Sequence, residues 1–370
     1  MRSAEVGVVD FPTLGHLLDG WIEQHFRVPA GFARGEPFRQ ADWQFWCTAN
    51  HYRVREDAQW NPERPLLNQA FVYRRSQVVA PQKTGKGPWT AAITAAEAVG
   101  PVLFGGWAKK GDRYRCDDHG CDCGWSFKYN PGEPKGIRQP SPLIQLTATS
   151  EDQVDTNIFG ALRAAIRMGP LKSQLLVREG FVRIDTGDDD PETSRIDIVT
   201  ASANSRLGNP ITFAVQDESG LYTTANKLRK VATGQRRGAA GMGGRTLETT
   251  NAWDPSEESV AQETYEASVE DIFRFYRNPD LNPALVDASG NRLSYLRKAD
   301  RRRLHEYVYE GSWWVNLDSI EAEAAELMEN DPAQAERFFG NRIVYGSGSW
   351  LPAGAWEGAH AGRRVAAQPA

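Results

Sequence analysis

An α/β fold with a mainly parallel central sheet flanked by helices is what this 370-residue chain predicts, and three observations predict it. From Phe71 onward short β-branched runs alternate with helical stretches, the pattern of a parallel sheet with helices on its faces. A glycine-lysine loop, Ala80-Pro-Gln-Lys-Thr-Gly-Lys-Gly87, joins one such run to an Ala-rich helical stretch. A second apolar run, at 211–215, leads into the adjacent carboxylates Asp217 and Glu218.

Taken in chain order, Leu14, Leu17, Leu18, Trp21 and Ile22 recur at helical spacing and stop near Pro29 and Gly31. Residues 1–36 therefore read as a helical lead packed on the main domain. The core is expected over 37–254, with its clearest strands at 77–80, 102–104, 143–147, 196–200, 211–215 and 246–249. A helix capped by Ser150, with Gln153 three residues on to complete a capping box, runs through Leu162 and Ile166 to Gly169. Past Pro255 helical patterns dominate apart from a strand at 271–277, which predicts a small C-terminal helical lid or linker subdomain over 255–345. Residues 346–370 begin Gly-Ser-Gly-Ser and turn Ala-rich, the composition of a linker.

Composition sets outer bounds. With 40% hydrophobic and 25% charged residues, no run of eighteen apolar residues and no apolar block at the start, a soluble intracellular protein without a membrane partner is expected. The net charge of −5 gives no general attraction for nucleic acid, so any DNA contact must be local. Two basic clusters offer one: Lys227, Arg229, Lys230, Arg236, Arg237 and Arg245, and then Arg297, Lys298, Arg301, Arg302 and Arg303. For each, a solvated face is as good a reading as a DNA contact.

The glycine-lysine loop reads as a P-loop. A strand, a tight loop and a helix aim backbone amides of Gln82, Lys83, Thr84, Gly85 and Gly87 at a phosphate, while Lys86 reaches the terminal phosphates. Pro88 suits the first helical turn. The loop departs from the usual pattern twice: Ala80 stands in place of the first glycine, and Gly87 in place of the magnesium-binding hydroxyl, for which Thr84, Thr90 or water would substitute. At the second strand end, Asp217 can hold Mg2+ through water and Glu218 can orient or deprotonate an attacking water; a solvated acidic turn is the alternative. A third strand ends in Thr249, Thr250 and Asn251, which could sense the γ-phosphate or form a plain turn. Upstream, the amide of Gln44 beside Trp43 could read an adenine edge, or the pair could be core and surface.

Cys116, His119, Cys121 and Cys123 place three thiols and an imidazole within eight residues, in a hairpin inserted at about 105–130. Three cysteines and one histidine make a known structural zinc set, so the insertion is either a zinc-stapled or a free-thiol hairpin.

Together, Trp43-Gln44, Ala80 to Gly87, Phe213-Ala-Val-Gln-Asp-Glu218 and Glu248-Thr-Thr-Asn-Ala252 resemble the large terminase subunit of tailed bacteriophages, over roughly residues 35 to 350. The resemblance implies a P-loop NTPase fold of the ASCE type and an ATPase that works as a ring on a capsid portal in the host cytoplasm. Its partners would be double-stranded DNA, the portal protein and the small terminase subunit, although an isolated domain can be monomeric. It also implies adenine reading by Gln44, the phosphate lysine at Lys86, the magnesium carboxylate at Asp217, the catalytic glutamate at Glu218 and a coupling motif at Thr249 to Asn251. Where the family often has an arginine four residues before the lysine, this chain has Gln82 with Lys83 beside it. Arg138, Arg163, Arg167 and Arg206 are candidates for an arginine finger. Large terminases also carry a nuclease; Glu357 is the one acid after Pro352, so no two-metal site and no cleavage is expected here. Two rival readings stand beside this one: a P-loop helicase, which needs a second motor domain, and a module that binds nucleotide and docks without turnover.

Overall fold

The computed structural model describes residues 6–64, 70–147, 158–185, 193–201 and 209–346. Its strands are β1 (Arg75–Val79), β2 (Leu103–Trp107), β3 (Arg113–Arg115), β4 (Ser126–Lys128), β5 (Pro134–Ile137), β6 (Leu143–Thr147), β7 (Leu175–Arg178), β8 (Phe181–Ile184), β9 (Arg195–Val199), β10 (Phe213–Asp217), β11 (Arg245–Thr250) and β12 (Ile272–Tyr276). Eight of them form one sheet in the order β12-β1-β11-β10-β6-β9-β8-β7. The six strands from β12 to β9 run parallel, and β8 and β7 add an antiparallel hairpin at one edge.

The helices that cover this sheet begin with α1 (Gly15–His25), α2 (Asp42–His51) and α3 (Lys86–Val99). Next come α4 (Ile158–Met168), α5 (Leu228–Gly241) and α6 (Val260–Glu266). Helix α3 follows the glycine-lysine loop and is buried along most of its length. Its alanines, Ala91, Ala92, Ala95, Ala96 and Ala98, let it lie close to the sheet and to α1 and α4.

Central parallel strands are buried on both faces, and β6, β10 and β11 are buried at every position. Polar residues inside them must find partners. Gln235 of α5 donates to Gln145 and Thr147 at 3.2 and 2.6 Å. Glu248, 1% exposed, accepts from Arg75 at 3.1 Å, Arg236 at 2.8 Å and Thr264 at 2.8 Å. Arg236 thus leaves the first basic cluster, and so does Arg245, which pairs with buried Glu97 at 2.8 Å. In the second cluster Arg301 is buried against Glu321, Arg302 meets Glu306 and Asp318, and Arg297 meets Asp287 and Asp300. Three of the five charges of that run are thus paired with acids of their own subdomain, and Arg303 donates to the carbonyls of Val286 and Ala284.

Two expectations are corrected. The strand expected at 102–104 is β2, and it lies outside the central sheet, paired antiparallel with β5 across an irregularity between Phe104 and Trp107. Its glycines explain this: Gly106 has φ +102°, and a Cβ on Gly105 would sit 2.6 Å from Ile137, so the pairing needs the bare backbone. The strand expected at 271–277 is β12, and it belongs to the sheet, parallel to β1 along its length. The core therefore extends past residue 254 to Tyr276. The cap Ser150 with Gln153, and residues 347–370 of the expected linker, lie outside the described residues.

The lid is built from α7 (Lys298–Val308), α8 (Leu317–Asn330) and α9 (Pro332–Phe338) around its own apolar cluster, which includes Leu293, Leu304, Ile320, Ala324 and Phe339. Buried His305 contacts the Tyr295 hydroxyl at 2.9 Å and Glu321 at 3.2 Å; burial pushes its pKa down to about 4, so it packs as a neutral ring. After α9 the chain returns to the sheet, where the Asn341 carbonyl accepts from the Tyr276 hydroxyl at 2.9 Å. Among the described residues no helix is long and apolar enough to cross a membrane.

Glu248 carries the buried charge between two arginines, and removing one side of such a group costs about 3 to 5 kcal/mol. Urea unfolding of Glu248→Ala is expected to show a loss of that order; a loss below about 1 kcal/mol would contradict the role assigned to it.

Candidate functional site

Strands β1, β11 and β10 are neighbours and parallel, so their carboxyl ends open on the same rim of the sheet, where ligands of open α/β folds sit. The loop 80–87 follows β1, Asp217 ends β10 with Glu218 next to it, and Thr249 and Thr250 end β11 with Asn251 following. A cavity of about 850 Å³ at this rim is lined by Gln82, Lys83, Gly85, Lys86, Gly87, Asp217, Glu218 and Asn251, with Trp314 of the lid. Pro29 and Ala30, just beyond α1, and the small residues Gly160, Ala161 and Ala164 of α4 complete the wall.

Lys86 is the first residue of α3 and is nearly buried. Its Nζ donates to the carbonyls of Ala80 and Pro81 at 2.6 and 2.8 Å and to Asn251 Oδ1 at 2.9 Å. Burial lowers its pKa to about 8, while Glu218 and Asp217 pull the other way. Asp217 accepts the Thr249 hydroxyl at 2.7 Å, and burial raises its pKa to about 6. Glu218 sits in the left-handed region, with φ 55° and ψ 42°. That conformation is unfavourable for a residue with a side chain and collects at functional sites. Lys83, at φ 67°, and Gly85, at φ 89°, shape the loop in the same way.

The structure thus brings Gln82, Lys83, Gly85, Lys86, Gly87, Asp217, Glu218 and Asn251 together around one cavity. It places the other expected residues behind it. The Thr84 hydroxyl donates to the Pro81 carbonyl at 2.8 Å, and neither Thr84 nor Thr90 lines the cavity. Thr249 orients Asp217, while Thr250 Oγ1 accepts from the Gly220 amide at 3.0 Å and tightens the turn after Glu218. Gln44, expected to read adenine, is 1% exposed; it accepts from the Ala41 amide at 3.0 Å and donates to the Gly85 carbonyl at 3.3 Å. Its amide holds the loop from behind.

None of the described finger candidates lines the cavity. Arg138 donates to the His119 carbonyl, Arg163 lies over the Phe159 ring at 4.9 Å, Arg167 is exposed on α4, and Arg206 lies outside the described residues. Sequence reasoning missed the lid's contribution. Trp314 stands so near Gly85 that a Cβ there would be 2.7 Å from its ring. The Tyr309 hydroxyl donates to the Gln82 carbonyl at 2.9 Å, and the Gln82 amide donates to the Phe338 carbonyl at 2.8 Å. The aromatic pair Trp313-Trp314 beyond α7 was the available signal.

A second constellation lies where α1 meets the insertion. The expected ligand His119 is not in it: its ring stacks on Tyr114, centroids 4.7 Å apart. A short turn over Cys116–His119 ends at Gly120 with φ 71°, which folds the thiols away from that ring. The histidine that joins Cys116, Cys121 and Cys123 is His25, at the end of α1, and all four ligand atoms lie within 4.8 Å of one another.

No protein-family model matches the chain. The gene 13 protein of Mycobacterium phage L5 is 27% identical over 313 residues, covering 77% of this chain and 47% of that protein. The gene 13 protein of Mycobacterium phage D29 is 28% identical over 205 residues, 53% of this chain and 29% of that one. The chain thus spans less than half the length of the curated relatives it matches. Among solved structures, the large terminase of bacteriophage HK97 superposes with a TM-score of 0.57 over 90% of this chain and 56% of that one, at 14% identity. The α/β P-loop fold is shared with that terminase.

The two shifted groups set a pH window. Below about pH 6 Asp217 takes up a proton and above about pH 8 Lys86 gives one up, so a cation at Asp217 and a polyanion at Lys86 would both be held best in between. Calorimetric affinity of the free protein for a magnesium–nucleotide analogue is expected to peak between these values. A flat profile from about pH 5 to about pH 9.5 would contradict the assignment.

Proposed function

We propose that this chain is the ATP-hydrolysing motor domain of a viral large terminase, which drives double-stranded DNA into a procapsid. The observation that carries the reading is the convergence of Lys86, Asp217, Glu218 and Asn251 on one cavity at the ends of three adjacent parallel strands. The fold shared with the HK97 large terminase supports it, and the two relatives at 27 and 28% identity are phage proteins.

In this reading Lys86 exchanges Asn251 for the terminal phosphates of ATP, and the loop amides and the positive end of α3 hold the rest of the triphosphate. Asp217, oriented by Thr249, would hold Mg2+ through water, and a cation there would supply positive charge to offset the negative charge developing on the transferred phosphoryl group. Glu218 orients the attacking water and takes its proton. Asn251, released from Lys86, registers the γ-phosphate. Gln82 is clamped by Tyr309 and Phe338, so movement of the loop is passed directly to the lid.

The partners in this role are double-stranded DNA, a portal protein, a small terminase subunit and further copies of the chain in a ring, in the host cytoplasm. At α5 and the residue before it, Lys227, Lys230 and Arg237, beside Arg229 paired with Glu263 at 2.9 Å, line a separate groove and would be the basic face for DNA.

The test is steady-state phosphate release with and without duplex DNA. Glu218→Gln is expected to keep nucleotide binding and lose about 10² to 10⁴ in turnover; Lys86→Ala is expected to lose binding as well, with far-ultraviolet dichroism unchanged in both. Unaltered turnover in both variants would reject the reading. Stoichiometric binding without turnover in the natural chain would favour the docking module, for which the absence of a loop hydroxyl at Gly87 is the specific support.

A further inference from the structure

We propose that His25, Cys116, Cys121 and Cys123 form a structural zinc site, three thiolates and one imidazole, that fastens α1 to the inserted hairpin. His25 Nε2 lies 3.2, 3.4 and 3.5 Å from the sulfurs of Cys123, Cys116 and Cys121. Zinc bonds of about 2.3 Å to sulfur and 2.0–2.1 Å to nitrogen in a tetrahedron separate nitrogen from sulfur by about 3.6 Å. The four donors therefore already surround a space of the right size for one ion.

The imidazole is set up to bind through the required atom. His25 Nδ1 contacts the Trp21 carbonyl at 2.7 Å. A carbonyl can only accept, so Nδ1 carries the proton and Nε2 presents its lone pair to the sulfurs. A metal-bound histidine characteristically donates its other nitrogen to such an acceptor. The ring is also fixed by packing: Trp21 stacks on it at 4.5 Å, and Trp125 meets it edge-on at 6.0 Å. The Trp125 amide points at Cys123 Sγ, 3.5 Å away. His25 and Cys116 are almost wholly buried, and Cys121 is 5% exposed.

Two alternatives fit less well. Buried thiols crowded on an imidazole without an ion leave polar atoms poorly matched, whereas an ion satisfies all four. Catalysis at the metal is also disfavoured, because four protein donors close the tetrahedron.

The site links residues 91 to 98 positions apart in sequence, which a hairpin holding its own zinc would not do. Gly20 lets the two surfaces meet, since a Cβ there would be 3.0 Å from the Trp125 ring. Just beyond His25, Pro29 and Ala30 line the cavity described above. The ion therefore anchors the segment that forms one wall of that cavity.

Elemental analysis of the purified chain is expected to give one zinc per molecule. Replacing it with Co2+ should give the visible bands of a tetrahedral thiolate complex. His25→Ala is expected to lose stoichiometric zinc, His119→Ala to retain it, and His25→Cys to retain it on four thiolates, which keeps the test decisive if the alanine variant fails to fold. Absence of zinc from the natural chain together with no tetrahedral Co2+ spectrum, iron in place of zinc, or zinc lost from His119→Ala but kept by His25→Ala would each overturn the proposal. None of these readouts depends on ATP turnover.

Discussion

A buried ammonium needs acceptors on every side, and Lys86 finds them in the carbonyls of Ala80 and Pro81 and in Asn251. The carbonyls belong to the loop that follows β1, and Asn251 follows β11. One cation therefore ties the ends of two neighbouring strands together, with the carboxylates that follow β10 close enough to act on its charge. Burial makes the arrangement costly without a polyanion, and both the lowered pKa of Lys86 and the raised pKa of Asp217 express that cost. In the proposed function these charges are the ones that would meet a phosphate–metal cluster.

The lid is attached to the same loop. Tyr309 and Phe338 grip the Gln82 backbone from opposite ends of the lid, the Trp43 indole donates to Ser312 at 3.2 Å, and Gln44 supports Gly85 from the core. The loop thus lies between two bodies with separate apolar clusters. Hydrogen bonds, not only chain connectivity, join the loop to both bodies. The exposed Trp314 lies against the loop at Gly85.

Much of this was legible in the sequence where the signal was local. The loop 80–87, the acids Asp217 and Glu218 and the strand end at Asn251 each follow a segment that the sequence marks as a strand, and parallel topology brings such ends to one rim. What depends on distant partners was not legible. The zinc-type cluster has the expected composition of donors but takes its histidine from α1, because His119 is turned toward Tyr114. Gln44 was expected to read adenine; in the fold its buried amide accepts from Ala41 and donates to the Gly85 carbonyl behind the cavity. The basic runs looked like surface charge, yet Arg236, Arg245 and Arg301 are structural because Glu248, Glu97 and Glu321 lie opposite them in the fold. β12 was read as part of the appended subdomain because helical patterns surround it, although its partner is the first strand of the sheet.

The most direct measurement is a crystal structure of the chain with magnesium and a non-hydrolysable ATP analogue. The triphosphate is expected in the cavity between the 80–87 loop and the acids, with Lys86 Nζ moved from Asn251 to the terminal phosphates and the cation on the Asp217 side. A triphosphate bound elsewhere, or Lys86 still held by Asn251 and the two carbonyls with the nucleotide in place, would contradict it.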